Sequence, residues 1–153
     1  MAKRSARAPA STAGAVSVRY IESSALVAAL LEHDADALKS VRTRGRKVTS
    51  ALTIAEAGRA ILRARALARL TADEERAAVR ALRRLERRCY LAGVTDAILA
   101  RVRRPFPIEP IRTLDAVHLA TTELLGEPPQ LIVVVTRDVR IRENAEALGY
   151  AVE

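Results

Sequence analysis

The clearest indication of the fold is the segment Leu131-Ile132-Val133-Val134-Val135-Thr136-Arg137-Asp138. Its short apolar run, rich in β-branched residues, predicts a strand over Leu131 to Thr136, and a helical pattern over Val139 to Leu148 follows it. Asp138 lies between the two. In parallel α/β sheets the ligand crevice lies beyond the carboxyl ends of the strands. The stretch therefore predicts an α/β fold with a carboxylate in its crevice.

The rest of the chain repeats this alternation of short β-rich runs and long Ala/Leu/Arg segments of helical period. The other predicted strands are Val18 to Ile21, Lys47 to Ser50, Leu91 to Val94 and Tyr150 to Val152. The other predicted helices are Ser24 to His33, Asp36 to Arg44, Leu52 to Ala68, Ala72 to Arg88, Asp96 to Arg103 and Thr113 to Leu125. The pattern predicts an α/β domain with a mainly parallel sheet.

The bulk properties fit a single globular domain. The chain has 153 residues and 50% hydrophobic content, enough to bury a core. Residues 1–17 are basic, then small and polar, and predict a disordered N-terminal arm before a domain over 18–153. The single Cys89 excludes an internal disulfide and fits a reducing cytoplasm, and no run is long and apolar enough to span a bilayer. We therefore expect a cytoplasmic protein.

The charge balance favours an anionic partner. The formal net charge is +8 and the isoelectric point is near 10.7, so the protein attracts polyanions, although an Arg-rich genome would produce the same excess. Aromatic content is 3% with no Trp, which leaves little material for stacking on bases. If RNA is bound, we expect the protein to contact its phosphates.

Four carboxylates lie at separate structural junctions. Glu22 and Asp138 directly follow predicted strands. Glu56 falls in the first turns of a predicted helix, and Asp115 falls in the first turn of another that Thr113 is expected to cap. All four could converge at one rim of the sheet, where their mutual repulsion would require a cation. A hard divalent metal is the natural one.

Each acid also has a structural explanation of its own. Asp115 would favour the positive end of its helix, and Asp138 could be a turn or N-cap residue. Glu56 could pair with Arg59 or Arg63 along its helix. The flanking sequences bear on this choice.

The segments around the four acids resemble the PIN-domain nucleases, most closely the VapC-type toxins of type II toxin–antitoxin systems. Glu22 to Val27 looks like the first acidic motif of that family and Ser50 to Glu56 like the second. Arg112 to Ala120 is similar to the third, which is the most specific, and Val135 to Asp138 looks like the fourth. The resemblance covers roughly residues 18 to 153, with the motifs in the family's order.

This resemblance implies a three-layer α/β/α PIN-like domain with a central sheet of about four to five strands. It also implies a Mg²⁺- or Mn²⁺-dependent endoribonuclease that leaves a 5′-phosphate and a 3′-hydroxyl. Its catalytic residues and metal ligands, direct or through water, would be Glu22, Glu56, Asp115 and Asp138. A homodimer neutralised by a cognate antitoxin is the implied assembly.

Other residues could support these carboxylates. Ser24 and Thr136 could brace them from behind, as metal ligands usually require, or could simply cap a helix or turn. His118, three residues after Asp115, could be a metal ligand or a packed core histidine.

RNA would need a basic surround to approach an acidic pocket. Arg59, Arg63, Arg112 and Arg137 are placed to supply it and are the predicted RNA-binding residues. For Arg59 and Arg63 a structural salt bridge is the alternative.

One departure from the family pattern bears on activity. The first acid is ordinarily Asp, and Glu22 adds a methylene that moves the carboxylate by about 1 Å, a misplacement that can cost about a hundredfold in rate. The alternative function is therefore a catalytically weakened PIN domain that binds RNA or a partner protein. A helical DNA-binding protein is a third hypothesis, but it leaves the acids after the strands unexplained.

Overall fold

The computed structural model of the protein describes residues 17–153. The expected arm over residues 1–17 lies, apart from Ser17, outside the described residues, so that arm stays a prediction. Within residues 17–153, no helix is both long enough and apolar enough to cross a membrane.

The elements alternate as the sequence predicts. The strands are β1 (Val18–Ile21), β2 (Arg46–Ser50), β3 (Tyr90–Ala92), β4 (Ile132–Val135) and β5 (Ala151–Val152). The helices are α1 (Ser23–Leu31), α2 (Ala35–Arg42), α3 (Ala51–Ala66), α4 (Ala72–Glu86), α5 (Asp96–Val102), α6 (Thr113–Glu123) and α7 (Val139–Ala147). Most bounds differ from the expected ones by one or two residues. Several helices end earlier than predicted, since helical periodicity in a sequence does not mark the last hydrogen-bonded turn.

The five strands form one parallel sheet in the order β3-β2-β1-β4-β5. The fold-class prediction is confirmed. β1 lies in the middle, and its last residue, Ile21, pairs with Thr49 of β2 and Val135 of β4. The three central strands therefore end at nearly the same level, which places the residues that follow them side by side.

Helices cover both faces of the sheet and create two hydrophobic cores. Tyr20 of β1 and Val134 of β4 pack on one face with residues of α5, α6 and α7. Ile21 and Val135, the next residue of each strand, pack on the other face with α1, α2, α3 and α4. This alternation follows from the two-residue period of a strand and gives the three α/β/α layers.

Candidate active site

The four acids singled out in the sequence line one hollow at the carboxyl edge of the sheet, here called the acidic hollow. Its volume is about 280 Å³. Glu22 directly follows β1, and Asp138 begins α7 just after β4. Glu56 comes from α3 and Asp115 from the first turn of α6. The tertiary structure thus brings together four residues that span more than a hundred positions of the chain.

Glu22 is the most enclosed of the four, with 2% of its surface exposed. Its Oε1 accepts hydrogen bonds from the Ser23 hydroxyl at 2.5 Å and from the backbone N–H of Ser24 at 3.0 Å, so that it caps α1. Its Oε2 accepts from the hydroxyls of Ser24 and Thr136, the latter at 2.8 Å. These donors compensate a buried carboxylate, and His118 Nε2 lies 3.8 Å from its Oε1.

Ser24 and Thr136 also connect the ends of β1 and β4. The Ser24 hydroxyl oxygen accepts from the backbone N–H of Arg137 at 2.8 Å, and that of Thr136 accepts from the N–H of Asp138 at 3.1 Å. Both hydroxyls therefore hold Glu22 and the loop that leads to Asp138. They lie where bracing residues would lie, and their role in metal binding stays a prediction.

Glu56 is held by a histidine and not by the neighbouring arginines of its own helix. His118 Nε2 lies 2.7 Å from Glu56 Oε2, and His118 is only 1% exposed. Burial raises the pKa of the Glu56 carboxyl, but the hydrogen bond and charge of His118 outweigh it, and the pKa is lowered overall. Glu56 is thus ionised near neutral pH and accepts this bond.

The other ring nitrogen of His118 contacts a buried tyrosine. Tyr20 Oη lies 2.9 Å from His118 Nδ1, and burial raises the pKa of Tyr20 above its ordinary value. Because Glu56 accepts from Nε2, that nitrogen carries a proton, and in a neutral ring Nδ1 then accepts from the Tyr20 hydroxyl. His118 orients Glu56 through this bond, and it would have to lose its Nε2 proton to bind a metal through that atom.

Asp115 and Asp138 share one arginine on the open side of the hollow. Arg112 Nε donates to Asp115 Oδ2 at 2.6 Å, and Nη2 donates to Asp115 Oδ1 at 3.1 Å and to Asp138 Oδ2 at 2.7 Å. The hydrogen bonds and charge of Asp115 raise the pKa of Arg112. Asp138 Oδ1 accepts from the backbone N–H groups of Arg140 and Ile141, so Asp138 is also the N-cap of α7.

The expectation that Thr113 caps α6 is wrong. Thr113 is the first residue of that helix, and Arg112 holds the N-cap position without a side-chain capping bond. A cap must precede the first helical residue and keep an extended backbone, which Arg112 does. Because Arg112 immediately precedes α6, its side chain lies at the rim of the acidic hollow.

The inner part of the hollow offers a set of potential metal ligands. One carboxylate oxygen each from Glu22 and Glu56 and one nitrogen from His118 lie within 4.8 Å of one another. Asp115 and Asp138 add oxygens on the open side of the same hollow. The residues present therefore fit a divalent cation, with oxygen as the predominant donor.

The predicted RNA-binding arginines have different surroundings. Arg59 and Arg63, both exposed, line a larger groove of about 670 Å³, here called the basic groove, to which Glu56 also contributes. Arg137 lines the same groove, and its Nε donates to Asp34 Oδ2 at 3.0 Å. Arg112 is engaged by two acids. The basic groove adjoins the acidic hollow, because Ser23, Ser24, Glu56 and Leu114 line both.

Two residues of the site had no counterpart in the sequence analysis. Ser23 donates to Glu22, and its position beside the first acid was the only available signal. Tyr20 supports His118 from a position 98 residues away, and nothing in the local sequence marks that contact.

Comparison with known proteins gives consistent results. The PIN domain family model matches residues 19–147. Ribonuclease VapC35 of Mycobacterium tuberculosis is 39% identical over 138 residues, which are 87% of this chain and 93% of that protein. Ribonuclease VapC46 of the same species is 41% identical over 135 residues, covering 87% of this chain and 94% of that protein.

A solved structure supports the same fold. VapBC2 from Rickettsia felis, crystallised with a DNA fragment from its promoter, has a chain that superposes with a TM-score of 0.58. The match covers 89% of this chain and 97% of that one at 10% identity, so it bears on the fold alone.

Proposed function

The chain belongs to the PIN domain family, and from that premise we propose that it is a ribonuclease toxin of a type II toxin–antitoxin system. Its reaction would be hydrolysis of RNA phosphodiester bonds with Mg²⁺ or Mn²⁺. The observation that carries this proposal is the meeting of Glu22, Glu56, Asp115 and Asp138 in one hollow of a PIN fold. These four residues are the proposed catalytic residues and metal ligands.

A bound Mg²⁺ or Mn²⁺ would supply Lewis-acid polarisation of the phosphate and a more acidic water. The chain supplies the positions of the oxygens. The hydroxyls of Ser24 and Thr136 fix Oε2 of Glu22 on one side of the hollow, and His118 fixes Glu56 beside it. This arrangement is set before any substrate arrives, so little reorganisation is needed during the reaction.

The basic groove is the proposed path for the RNA backbone. Arg59, Arg63 and Arg137 line it, and the net charge of +8 attracts a polyanion from a distance. A phosphate bound there would lie beside the acidic hollow, because Glu56 belongs to both walls. Arg112 is the fourth proposed RNA contact.

An antitoxin and a second copy of the chain are the proposed protein partners, and the cytoplasm is the proposed compartment. A cleft between α1 and α3, lined in part by Val27, Leu31, Leu67 and Leu70, could accept an apolar segment of the antitoxin. Tyr90, 68% exposed on the edge strand β3, lies on a surface that could be covered in a dimer.

A second candidate function is an RNA- or partner-binding PIN domain with weak catalysis. It is favoured by the four donors on Glu22, which use about all the lone-pair sites that a carboxylate has. A Glu22→Asp variant discriminates the two functions. A large gain in cleavage over the parent would favour the weakened domain, and equal or lower cleavage would favour an active parent.

Metal titration with a generic single-stranded RNA tests the proposal. Cleavage is expected to require Mg²⁺ or Mn²⁺ and to fall by about a hundredfold or more in Asp115→Asn, because a metal ligand contributes several kcal/mol to transition-state stabilisation. Asp96→Asn is the matched control, since Asp96 also lies in the first turn of a helix but outside the hollow. Cleavage that is absent in the parent, or unchanged in Asp115→Asn, would contradict the nuclease assignment.

A further inference from the structure

We propose that Arg112 is an internal counter-cation at the proposed metal site and must leave Asp138 before that carboxylate can help to hold a divalent metal. The inference rests on the proposed function, because it concerns the same site. It assigns Arg112 a role in the metal-free protein that differs from a simple RNA contact. Arg112, Asp115 and Asp138 meet on the open side of the acidic hollow.

Asp138 has one carboxylate oxygen, Oδ2, that does not cap its own helix. Its Oδ1 accepts two backbone N–H groups of α7, from Arg140 at 2.8 Å and from Ile141 at 3.2 Å. Oδ2 is the remaining oxygen, and Arg112 Nη2 donates to it at 2.7 Å. A metal held by Asp138 without unwinding the start of α7 would therefore use Oδ2, where the positive charge of Arg112 opposes a second cation.

One nitrogen of Arg112 contacts both carboxylates. Nη2 of Arg112 donates both to Asp138 Oδ2 at 2.7 Å and to Asp115 Oδ1 at 3.1 Å. It thus lies between the two carboxylates and uses an oxygen of each. A guanidinium and a divalent metal cannot share that position, since both are positively charged and each needs the same oxygens.

The side chain of Arg112 can move while its backbone stays in place. The loop before it is anchored, because Asn144 exchanges two hydrogen bonds of 2.9 Å with the backbone of Ile108, and Glu109 accepts from the N–H of Ile111 at 2.8 Å. The carbonyl of Arg112 is fixed by the first helical bond of α6. The side chain itself is 59% exposed, so its guanidinium can turn into solvent at small cost.

This exchange gives Arg112 two successive roles. In the metal-free protein it offsets part of the negative charge of Asp115 and Asp138 and holds an oxygen of each. Once it is released from Asp138, its guanidinium remains at the rim of the hollow, beside the position of an incoming phosphate, and is free to contact it. Arg112 is in this sense a positioning residue whose availability to RNA depends on the metal.

The test is Mn²⁺ binding without RNA, measured by titration calorimetry at physiological salt for the full chain. Arg112→Gln is expected to bind Mn²⁺ roughly threefold to fivefold more tightly than the parent, because exposed ion pairs of this kind contribute up to about 1 kcal/mol. Without metal, Arg112→Gln is expected to melt at a lower temperature than the parent, since its two acids have lost their cation. Added Mn²⁺ should then stabilise the variant more than the parent.

Arg59→Gln is the matched control for long-range charge. Arg59 is exposed and lies in the adjoining basic groove, so its removal changes the net charge equally without freeing any oxygen of Asp138. Its Mn²⁺ affinity is expected to stay within about twofold of the parent, because exposed charges are screened at physiological salt.

The possible results separate the inference from the proposed function. Equal tightening in Arg112→Gln and Arg59→Gln, or no tightening in Arg112→Gln, would overturn the exchange while leaving the metal site intact. Failure of every form to bind Mn²⁺, with Asp115→Asn no different from the parent, would refute the metal site and the exchange together.

Discussion

The two halves of the acidic hollow hold their carboxylates in opposite ways. In the inner half, which comprises Glu22, Glu56 and His118, hydroxyls, a backbone N–H and an imidazole collect the acids, and Glu22 is 2% exposed. In the outer half, which comprises Asp115, Asp138 and Arg112, one guanidinium holds both acids, and its side chain is 59% exposed. The acids themselves do not differ in this way, since the Glu56 side chain is 27% exposed and that of Asp115 is 9% exposed. What differs is the group that holds them, because His118 is 1% exposed and Arg112 is 59% exposed.

This difference follows from burial. A guanidinium placed in the inner half would lose its hydration, whereas short hydroxyl side chains can compensate a buried carboxylate at little cost in space. At the open side solvent remains available, so an arginine can hold the acids and still leave. The comparison predicts that the inner half fixes geometry and that the outer half admits the cation.

The largest expected effect comes from removing one charge in each half. Glu22→Gln is expected to lower Mn²⁺-dependent cleavage of RNA by about a hundredfold to a thousandfold, because a ligand oxygen in a buried site is worth several kcal/mol. Asp138→Asn is expected to lose less, since Asp138 is more exposed. Initial rates at saturating Mn²⁺ measure both, with circular dichroism to verify folding.

A larger loss of cleavage in Asp138→Asn than in Glu22→Gln would contradict this contrast between the two halves. If Glu22→Gln retains cleavage while Asp138→Asn loses it, Glu22 serves only as the cap of α1, and the outer half carries the metal.

A smaller effect is expected from the hydroxyls that hold Glu22. Thr136→Val keeps the shape of the side chain but removes the donor to Glu22 Oε2, and it should weaken Mn²⁺ affinity by about 10-fold to 100-fold. Thr49→Val is the control, because Thr49 is equally buried but donates to the carbonyl of Ile21 at 2.7 Å. Calorimetric titration distinguishes them. Equal losses in both variants would mean that general packing, and not the bond to Glu22, sets the affinity.

The smallest effect concerns an arginine pair outside the hollow, between Arg19 and Glu153. Arg19 Nη2 lies 2.5 Å from Glu153 Oε2, and this hydrogen bond lowers the pKa of Glu153 from its ordinary value. A depressed carboxyl pKa in the folded state adds stability above the unfolded pKa, and that stability is lost as the pH falls through the folded pKa.

Glu153→Gln should therefore lower the free energy of unfolding by about 1 kcal/mol at pH 7, since the pair is partly exposed. The difference from the parent should vanish in acid, once Glu153 is protonated. Urea unfolding between pH 7 and pH 3 measures it. A difference that stays constant with pH would show that the contribution is not ionic. Unlike Arg112, Arg19 is buried, so its pair is fixed and does not exchange.

Much of the fold could be predicted because its signals are local. β1 has the predicted bounds, and β4 and α7 lie within one or two residues of theirs, since a strand or helix pattern repeats within a few residues. β3 was expected over Leu91 to Val94 but covers Tyr90–Ala92. It is a short edge strand with exposed side chains, and such strands carry weak hydrophobic patterning.

The candidate site was predictable only in part. The four acids could be identified because each lies close to the end of a strand or the start of a helix. Their partners could not, because each contact joins distant positions. Glu56 and His118 are 62 residues apart, and Arg112 and Asp138 are 26 apart. Arg112 was expected to face RNA, and nothing in its neighbourhood indicated that Asp138 would bind it.

The sequence by itself determined the parallel α/β architecture, the positions of the four acids along the chain and the basic character of the surface. These properties depend on periodicity, junctions and composition, which a linear chain already contains. Which donor meets which carboxylate depends on the tertiary structure, which divides the hollow into one half held by donors other than arginine, among them the buried His118, and another half held by one exposed arginine. The physical reason is that burial and hydrogen-bond partners arise from packing between distant segments, and these determine where a cation can enter.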